Sequence, residues 1–281
     1  LALNRDAARF FHAQLKTPAG QIARDYLARR QLTAQTVTRF GLGFAPDSWE
    51  SLANAMRRKG YSDQEMFEAG LVKHGKSGGV YDAFRNRLMF PVIDVRGSVI
   101  GFSGRILGDG EPKYLNSPET PVFSKSHNLF GLNLAKKSKN GYIILVEGNI
   151  DVVSLHQAGF DGAVASLGTS LTPEQARLIS RYTNEVVLCY DSDEAGKKAA
   201  SAFSRSSISR CAYCRCRARR TRTSSSRKTA RTPSAISLMR APDRSNTGCA
   251  TWKRKTRPRP TRGAWTISRA RPRFWRHCRA R

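Results

Sequence analysis

Acidic residues are nearly missing from the last part of this 281-residue chain. Residues 201–281 carry one acid, Asp243, against 24 Lys+Arg, whereas residues 1–200 carry 20 Asp+Glu against 25 Lys+Arg. The net charge of +28 would ordinarily suggest a nucleic-acid partner, but nearly all of the excess lies in the final stretch. Cysteine is equally lopsided. None precedes Cys189, which sits in an apolar run and reads as a buried, reduced thiol. The later Cys211, Cys214 and Cys216, with His277 and Cys278, lack a clean second pair at structural-zinc spacing, so no zinc is expected. No apolar run is long enough to span a bilayer and nothing resembles a signal peptide, which makes a cytoplasmic protein without a membrane partner the expectation. After about Ala200 neither a helical nor a strand rhythm persists. The few apolar residues there could not offset the entropy of ordering, so residues 201–281 read as a disordered basic tail.

What is present begins with length enough for one or two domains with a real core. Ala7, Phe10, Phe11 and Leu15, then Ile22, Tyr26 and Leu27, recur at helical spacing, with TPAG at Thr17–Gly20 as the break. A helix fits Ser48–Lys59 with Ser48 as N-cap. A shorter one fits Ser62–Ala69, with Ser62 and Glu65 spaced as a capping box. RLMFPVIDVRGSVIGFSGRIL alternates around Arg96–Gly97, as two strands joined by a tight turn do. From Tyr142 the pattern is strand and helix in turn: YIILV, a helix over 150–157, AVAS at 163–166, a helix opened by Pro173, EVVLCY, and a helix beginning at Glu194. Such alternation with short links implies parallel strands with helical crossovers.

Two of these strands end in carboxylates: LVEGNID brings Glu147 and Asp151, and CYDSD brings Asp191 and Asp193. Ligands of open parallel sheets bind beyond the carboxyl ends of the strands, so these acids converge if the strands are neighbours. Either pair alone is as readily explained as a helix cap. Both together at strand ends point to a cation between them, and magnesium, which prefers oxygen ligands, is the natural occupant. Gly148 is expected to let the backbone turn sharply beside Glu147.

EGNID, ASLGTSLT and YDSDEAG resemble the Toprim domain of DnaG-type bacterial DNA primases. FGLGFAPDSW at 40–49, YDAFRNRLMFPVID at 81–94 and GFSGRILGDGEPKYLNSPET at 101–120 resemble the rest of that family's catalytic core. The resemblance covers roughly residues 1–200. It implies template-directed synthesis of short RNA primers on single-stranded DNA by a nucleotidyltransferase using ribonucleoside triphosphates and Mg2+ or Mn2+. Glu147 would be the Toprim glutamate, Asp191 and Asp193 its DxD pair and Asp151 a further metal ligand, with Asn149–Ile150 in place of a more usual Tyr-Met. Arg30, Arg105, Lys113, Tyr114 and Lys125 match positions the family uses for DNA and nucleotide, with Arg85 and Arg87 close by in sequence. Positive groups flanked by an aromatic suit a single strand. A replicative helicase is the partner implied for the full-length family, and a monomer is expected.

The expected architecture is therefore α/β. A mixed α+β amino-terminal subdomain (1–140) is followed by a truncated, Rossmann-like Toprim parallel sheet (141–200) and the tail (201–281). No Cys/His quartet precedes the core where the family has a zinc module. The family also continues past YDSDEAG with another strand and a KDPDEF-like motif, so the sheet reads as one strand and two acids short. A frame slip near Ala200 accounts for this: one permitted codon series for 212–234, read two bases later, gives VLPLPGAKDADEFIKKDGEDAF. Toprim acids alone would also fit a topoisomerase or nuclease, and a non-catalytic single-strand binder is the other alternative.

Overall fold

A computed structural model describes residues 1–76, 78–168, 170–190, 199, 201–203 and 208, and the backbone alone of 210–216 and 236–239. The chain opens with three helices, α1 (Ala2–Gln14), α2 (Gln21–Arg29) and α3 (Ala34–Arg39), with a 3-10 turn at Pro18–Gly20 between the first two. There follow β1 (Gly43–Ala45), α4 (Ser51–Arg57), α5 (Asp63–Glu68), β2 (Val72–His74) and β3 (Val80–Asp82). The long hairpin is β4 (Arg87–Ile93) and β5 (Val99–Ile106), turning through Gly97 at φ +96° as the alternation predicts, and β6 is Tyr114–Asn116.

Strands β1, β4, β5 and β6 form an antiparallel sheet in the order β1-β4-β5-β6. Cross-strand partners share a face, so the register sorts the side chains. Phe44, Leu88, Arg105 and Tyr114 lie on one face, and Ala45, Arg87 and Ile106 on the other. Helices α1 and α4 cover the second face with Phe11, Leu52 and Met56 against Met89 and Phe102.

The amino end of α4 corrects one expectation. Ser48 does not cap it; its hydroxyl accepts only from Glu50 N, at 3.5 Å and outside the helix. The buried Asp82 carboxylate, on β3, does the capping by accepting from Leu52 N at 2.7 Å and Ala53 N at 2.9 Å. By contrast the Ser62/Glu65 capping box on α5 forms as its spacing predicts.

The second half alternates as expected: α6 (Leu132–Ala135), β7 (Ile143–Val146), α7 (Asn149–Gln157), β8 (Ala163–Ala165), α8 (Pro173–Ser180) and β9 (Glu185–Cys189). Strands β8, β7 and β9 are mutually parallel. Each residue of β7 is buried because both faces are covered. Ile144 and Val146 meet Phe44, Phe90 and Ile150, while Ile143 and Leu145 meet Ala176 and Ile179.

The sheet does not stop at β9. Strand β10 (Arg210–Cys216) runs parallel beside it, and β11 (Ile236–Met239) pairs antiparallel with β10. Phe203 and Ile208 are buried with Val186 and Leu188. Both strands fall in the stretch read as a disordered tail, beside a sheet read as one strand short. Without β10 the edge of β9 would present unpaired backbone groups, and any extended segment can satisfy such groups, whatever its side-chain rhythm. The helix expected from Glu194 begins outside the described residues. No helix among the described residues is long and apolar enough to cross a membrane.

Candidate active site

Val146 is in register with Ala165 on one side and Cys189 on the other. The three parallel strands therefore release Glu147, Ser166 and Tyr190 at one level, on one edge. Glu147 is exposed there. Its proximity to β9 is felt by Tyr190, whose phenol is pushed upward by burial first and by the Glu147 charge second. Tyr190 immediately precedes Asp191 in sequence. Asp191 and Asp193 themselves lie outside the described residues.

Asp151 stands in the first turn of α7 and is half-buried. Gly148 links it to Glu147 with φ −122° and ψ 150°, an extended conformation open to any residue. The sharp turn expected there is not what requires glycine. A Cβ at this position would lie 2.8 Å from Asp151 Oδ2, so the peptide is wrapped closely around the carboxylate. Two carboxylates on one edge, with a strand leading to two more in sequence, make an oxygen donor set that suits a hard divalent cation. Among the described residues no group of three or more His, Cys, Asp or Glu side chains is placed to hold a metal.

Beside the acids stands a column of cations and aromatic rings. The Arg105 guanidinium lies 5.0 Å from the Tyr26 ring centroid and 5.4 Å from that of Tyr114, and it donates to Tyr114 Oη at 3.3 Å. Arg30 lies 5.4 Å from the Tyr26 ring and donates through Nε to Tyr26 Oη at 3.1 Å. Burial raises the Tyr114 phenol, Arg105 works against this, and the Asp151 charge adds to the rise. The column therefore adjoins the acid edge. Tyr26 was not singled out from the sequence as a site residue, although its spacing from Arg30 on a helix was the available signal. Lys113, next to Tyr114, is exposed.

Arg87 and Arg85 are placed elsewhere. Arg87, on the opposite face of its sheet, is buried and donates to Gly104 O at 3.0 Å and Pro112 O at 2.9 Å. Its guanidinium serves the backbone, and burial lowers its pKa. Arg85 lies 4.1 Å over the Trp49 ring and 5.2 Å from that of Tyr81. Trp49, 63% exposed, is a surface aromatic that the sequence reading passed over. Lys125 is half-exposed on a loop beside α8.

Side-chain hydrogen bonds tie the second half to the amino-terminal half. Asn116 Nδ2 donates to Leu167 O at 3.0 Å. At the far end of α7, the Gln157 amide accepts from Thr33 N and donates to Gln31 O, both at 2.8 Å. Gln31 takes a left-handed φ of +56° in that turn, one residue after Arg30.

Residues 10–136 match the family described as DNA primase catalytic core, N-terminal domain, and residues 144–225 match a Toprim-like family. The second match runs past the boundary at 200 drawn from the sequence. The DNA primase of Clostridium acetobutylicum is 50% identical over 199 residues, which are 70% of this chain and 33% of the relative. A DnaG primase catalytic domain bound to ssDNA superposes with a TM-score of 0.69 at 40% identity, over 76% of this chain and 72% of that one. The RNA polymerase domain of Mycobacterium tuberculosis primase DnaG, in complex with a double-stranded DNA oligomer with a 6-nucleotide overhang, gives 0.71 at 36% identity, over 76% and 71%. The chain spans about a third of the length of the curated primases it matches. With its acid edge and cation–aromatic column set between a primase amino-terminal domain and a Toprim sheet, this chain belongs to the DnaG-type bacterial DNA primase catalytic core family.

Proposed function

We propose that this chain is the nucleotidyl-transfer core of a DNA-templated RNA polymerase that makes short primers on single-stranded DNA. One observation carries the reading. Glu147 leaves β7 at the level of Tyr190 and one helical turn from Asp151, beside the Arg30–Tyr26–Arg105–Tyr114 column. Glu147, Asp151, Asp191 and Asp193 would hold Mg2+ or Mn2+, which supplies charge neutralisation for the triphosphate and activation of the attacking hydroxyl. Glu147 is the exposed donor, and the Asp151 carboxylate lies close against Gly148. Arg30, Arg105, Lys113 and Lys125 bring positive charge to phosphates, while Tyr26 and Tyr114 offer flat surfaces for bases. The exposed Trp49, with Arg85 and Tyr81, is a separate cation–aromatic cluster of the same chemistry. The ssDNA-bound structure of a similar primase catalytic domain supports a single-stranded template. A replicative helicase would be the partner of the longer protein. That the matched relatives are primases argues against a topoisomerase or nuclease reading.

The test is primer synthesis by the full chain from ribonucleotides and magnesium on a single-stranded template. Glu147→Gln should cut synthesis by about 10²-fold or more, the scale of losing one charge-stabilising group, while leaving template binding within about twofold. Salt-sensitive DNA binding by the wild-type chain with no primer formed would instead support the non-catalytic binder.

A further inference from the structure

The loop Ser124–Asn128 presents hydroxyl, ammonium, hydroxyl, imidazole and amide groups in succession. A single bridge fixes its place. Phe130 pairs antiparallel with Ala165, the last residue of β8. The residues preceding Phe130 therefore run past the carboxyl end of β8, on the same edge where Glu147 leaves β7.

The loop's carbonyl oxygens are turned inward. Gln175 is fully buried and donates through Nε2 to Lys125 O at 2.8 Å and to Asn128 O at 2.9 Å. The Thr172 hydroxyl donates to Ser126 O at 2.6 Å. Asn128 Nδ2 donates to Ser124 O at 2.9 Å. Gln175 is itself locked, because its Oε1 accepts from Thr172 N and its own N–H donates to Thr172 Oγ1, both at 3.1 Å. One amide at the start of α8 thus anchors two peptides of a loop about fifty residues away in sequence.

What the loop turns outward is cationic or protic. Lys125 is half-exposed and His127 exposed. His127 Nδ1 lies 2.9 Å from Ser126 Oγ and 3.2 Å from Ser124 Oγ. In the tautomer in which Nδ1 accepts from one of these hydroxyls, the ring proton is on Nε2 and is available to donate. The nearby Glu119 carboxylate accepts from Lys125 N at 3.0 Å and so is turned to the loop's own backbone. A loop with its acceptors bound inside and its donors outside is built for an anion.

We infer that Gln175 is a positioning residue for nucleotide binding: by fixing the Ser124–Asn128 backbone it presents Lys125 and His127 to the phosphates of an incoming ribonucleoside triphosphate. The inference rests on the primer-synthesis reading above. Gln175 touches no nucleotide itself; its effect travels through the loop.

The experiment titrates the full chain with magnesium-GTP and, separately, with a single-stranded oligonucleotide. Gln175→Met keeps the volume and loses both donated bonds. It should weaken GTP about tenfold, the scale of two net hydrogen bonds, with oligonucleotide affinity within about twofold. Lys125→Gln should give a similar loss for GTP, and the double variant should be no more than about twofold worse than either single one, because both act through one loop. Wild-type GTP affinity in Gln175→Met, equal losses for both ligands, or additive losses in the double variant would each overturn the inference and leave the primase reading standing. Failure of the wild-type chain to bind GTP would overturn both. Should Gln175→Met not fold, the surface variants Lys125→Gln and His127→Gln decide the matter: GTP affinity unchanged in both refutes the presentation of this loop to phosphate.

Discussion

Arg105→Met separates what the cation–aromatic column does for stability from what it does for DNA. The two ring faces, at 5.0 and 5.4 Å, contribute about 0.5–1 kcal/mol each. The bond to Tyr114 Oη adds about 1 kcal/mol. Against these stands Nε, which is buried with no hydrogen-bond partner and costs about 1–3 kcal/mol to desolvate. The net lies between about −1 and 2 kcal/mol, so a thermal melt should move by no more than about 8 °C. Single-strand binding should respond far more. Removing one cation that meets phosphate lowers the slope of log affinity against log salt by about 0.7. Fluorescence anisotropy of a labelled oligonucleotide over a salt series reads that slope directly. An unchanged slope and affinity in a folded variant would refute the placement of Arg105 in the template path. A stability loss above about 3 kcal/mol would refute the accounting of the column, since its contacts together contribute no more than about that.

His156 is buried, with Nε2 2.9 Å from Ala163 O and Nδ1 without a partner, and burial holds its pKa below the usual 6.5. The folded value lies below the unfolded one, so the unfolded chain binds more protons between them. Stability is full above pH 6.5 and falls as pH drops through that window; urea midpoints at pH 7 and 5 should diverge in the wild type and converge in His156→Gln, and parallel behaviour would contradict this. Asp82→Ala strips the amino end of α4 of both its acceptor bonds, at 2.7 and 2.9 Å, and should cost about 2 kcal/mol in urea unfolding; a loss below about 0.5 kcal/mol would show that water replaces the cap. The coding DNA beyond about residue 200 should contain KDADEF in the neighbouring frame, and its absence on sequencing would end the frame-slip explanation.

Local chemistry was legible where it was self-contained. Ser62 with Glu65 formed a capping box within four residues, Pro173 opened its helix, and Gly97 marked its hairpin. The apolar runs of β7 and β9 announced a sheet covered on both faces. Three-residue strands such as β1 and β6 are too short to show a period. The Asp82 cap and the Gln175 anchor join residues about thirty and fifty positions apart, beyond what a local pattern records. Charge alone could not distinguish Arg87 from Arg105, because strand register decides which face each takes. At the site, Glu147 and Asp151 were readable because a strand end fixes the place of its next residue. Tyr26 was not, because a buried tyrosine on an amphipathic helix looks like core until its ring is seen beneath two guanidinium groups.

Helix α7 has Asp151 in its first turn and Gln157 at its last residue, clasped to the turn that follows Arg30. Nine residues of helix make a rod about 13 Å long that neither stretches nor bends easily. The acid at one end and the basic turn at the other are therefore mechanically yoked. The separation between the turn after Arg30 and the Asp151 carboxylate is set by the length of one helix, and a shift of that turn is passed along α7 toward the acid.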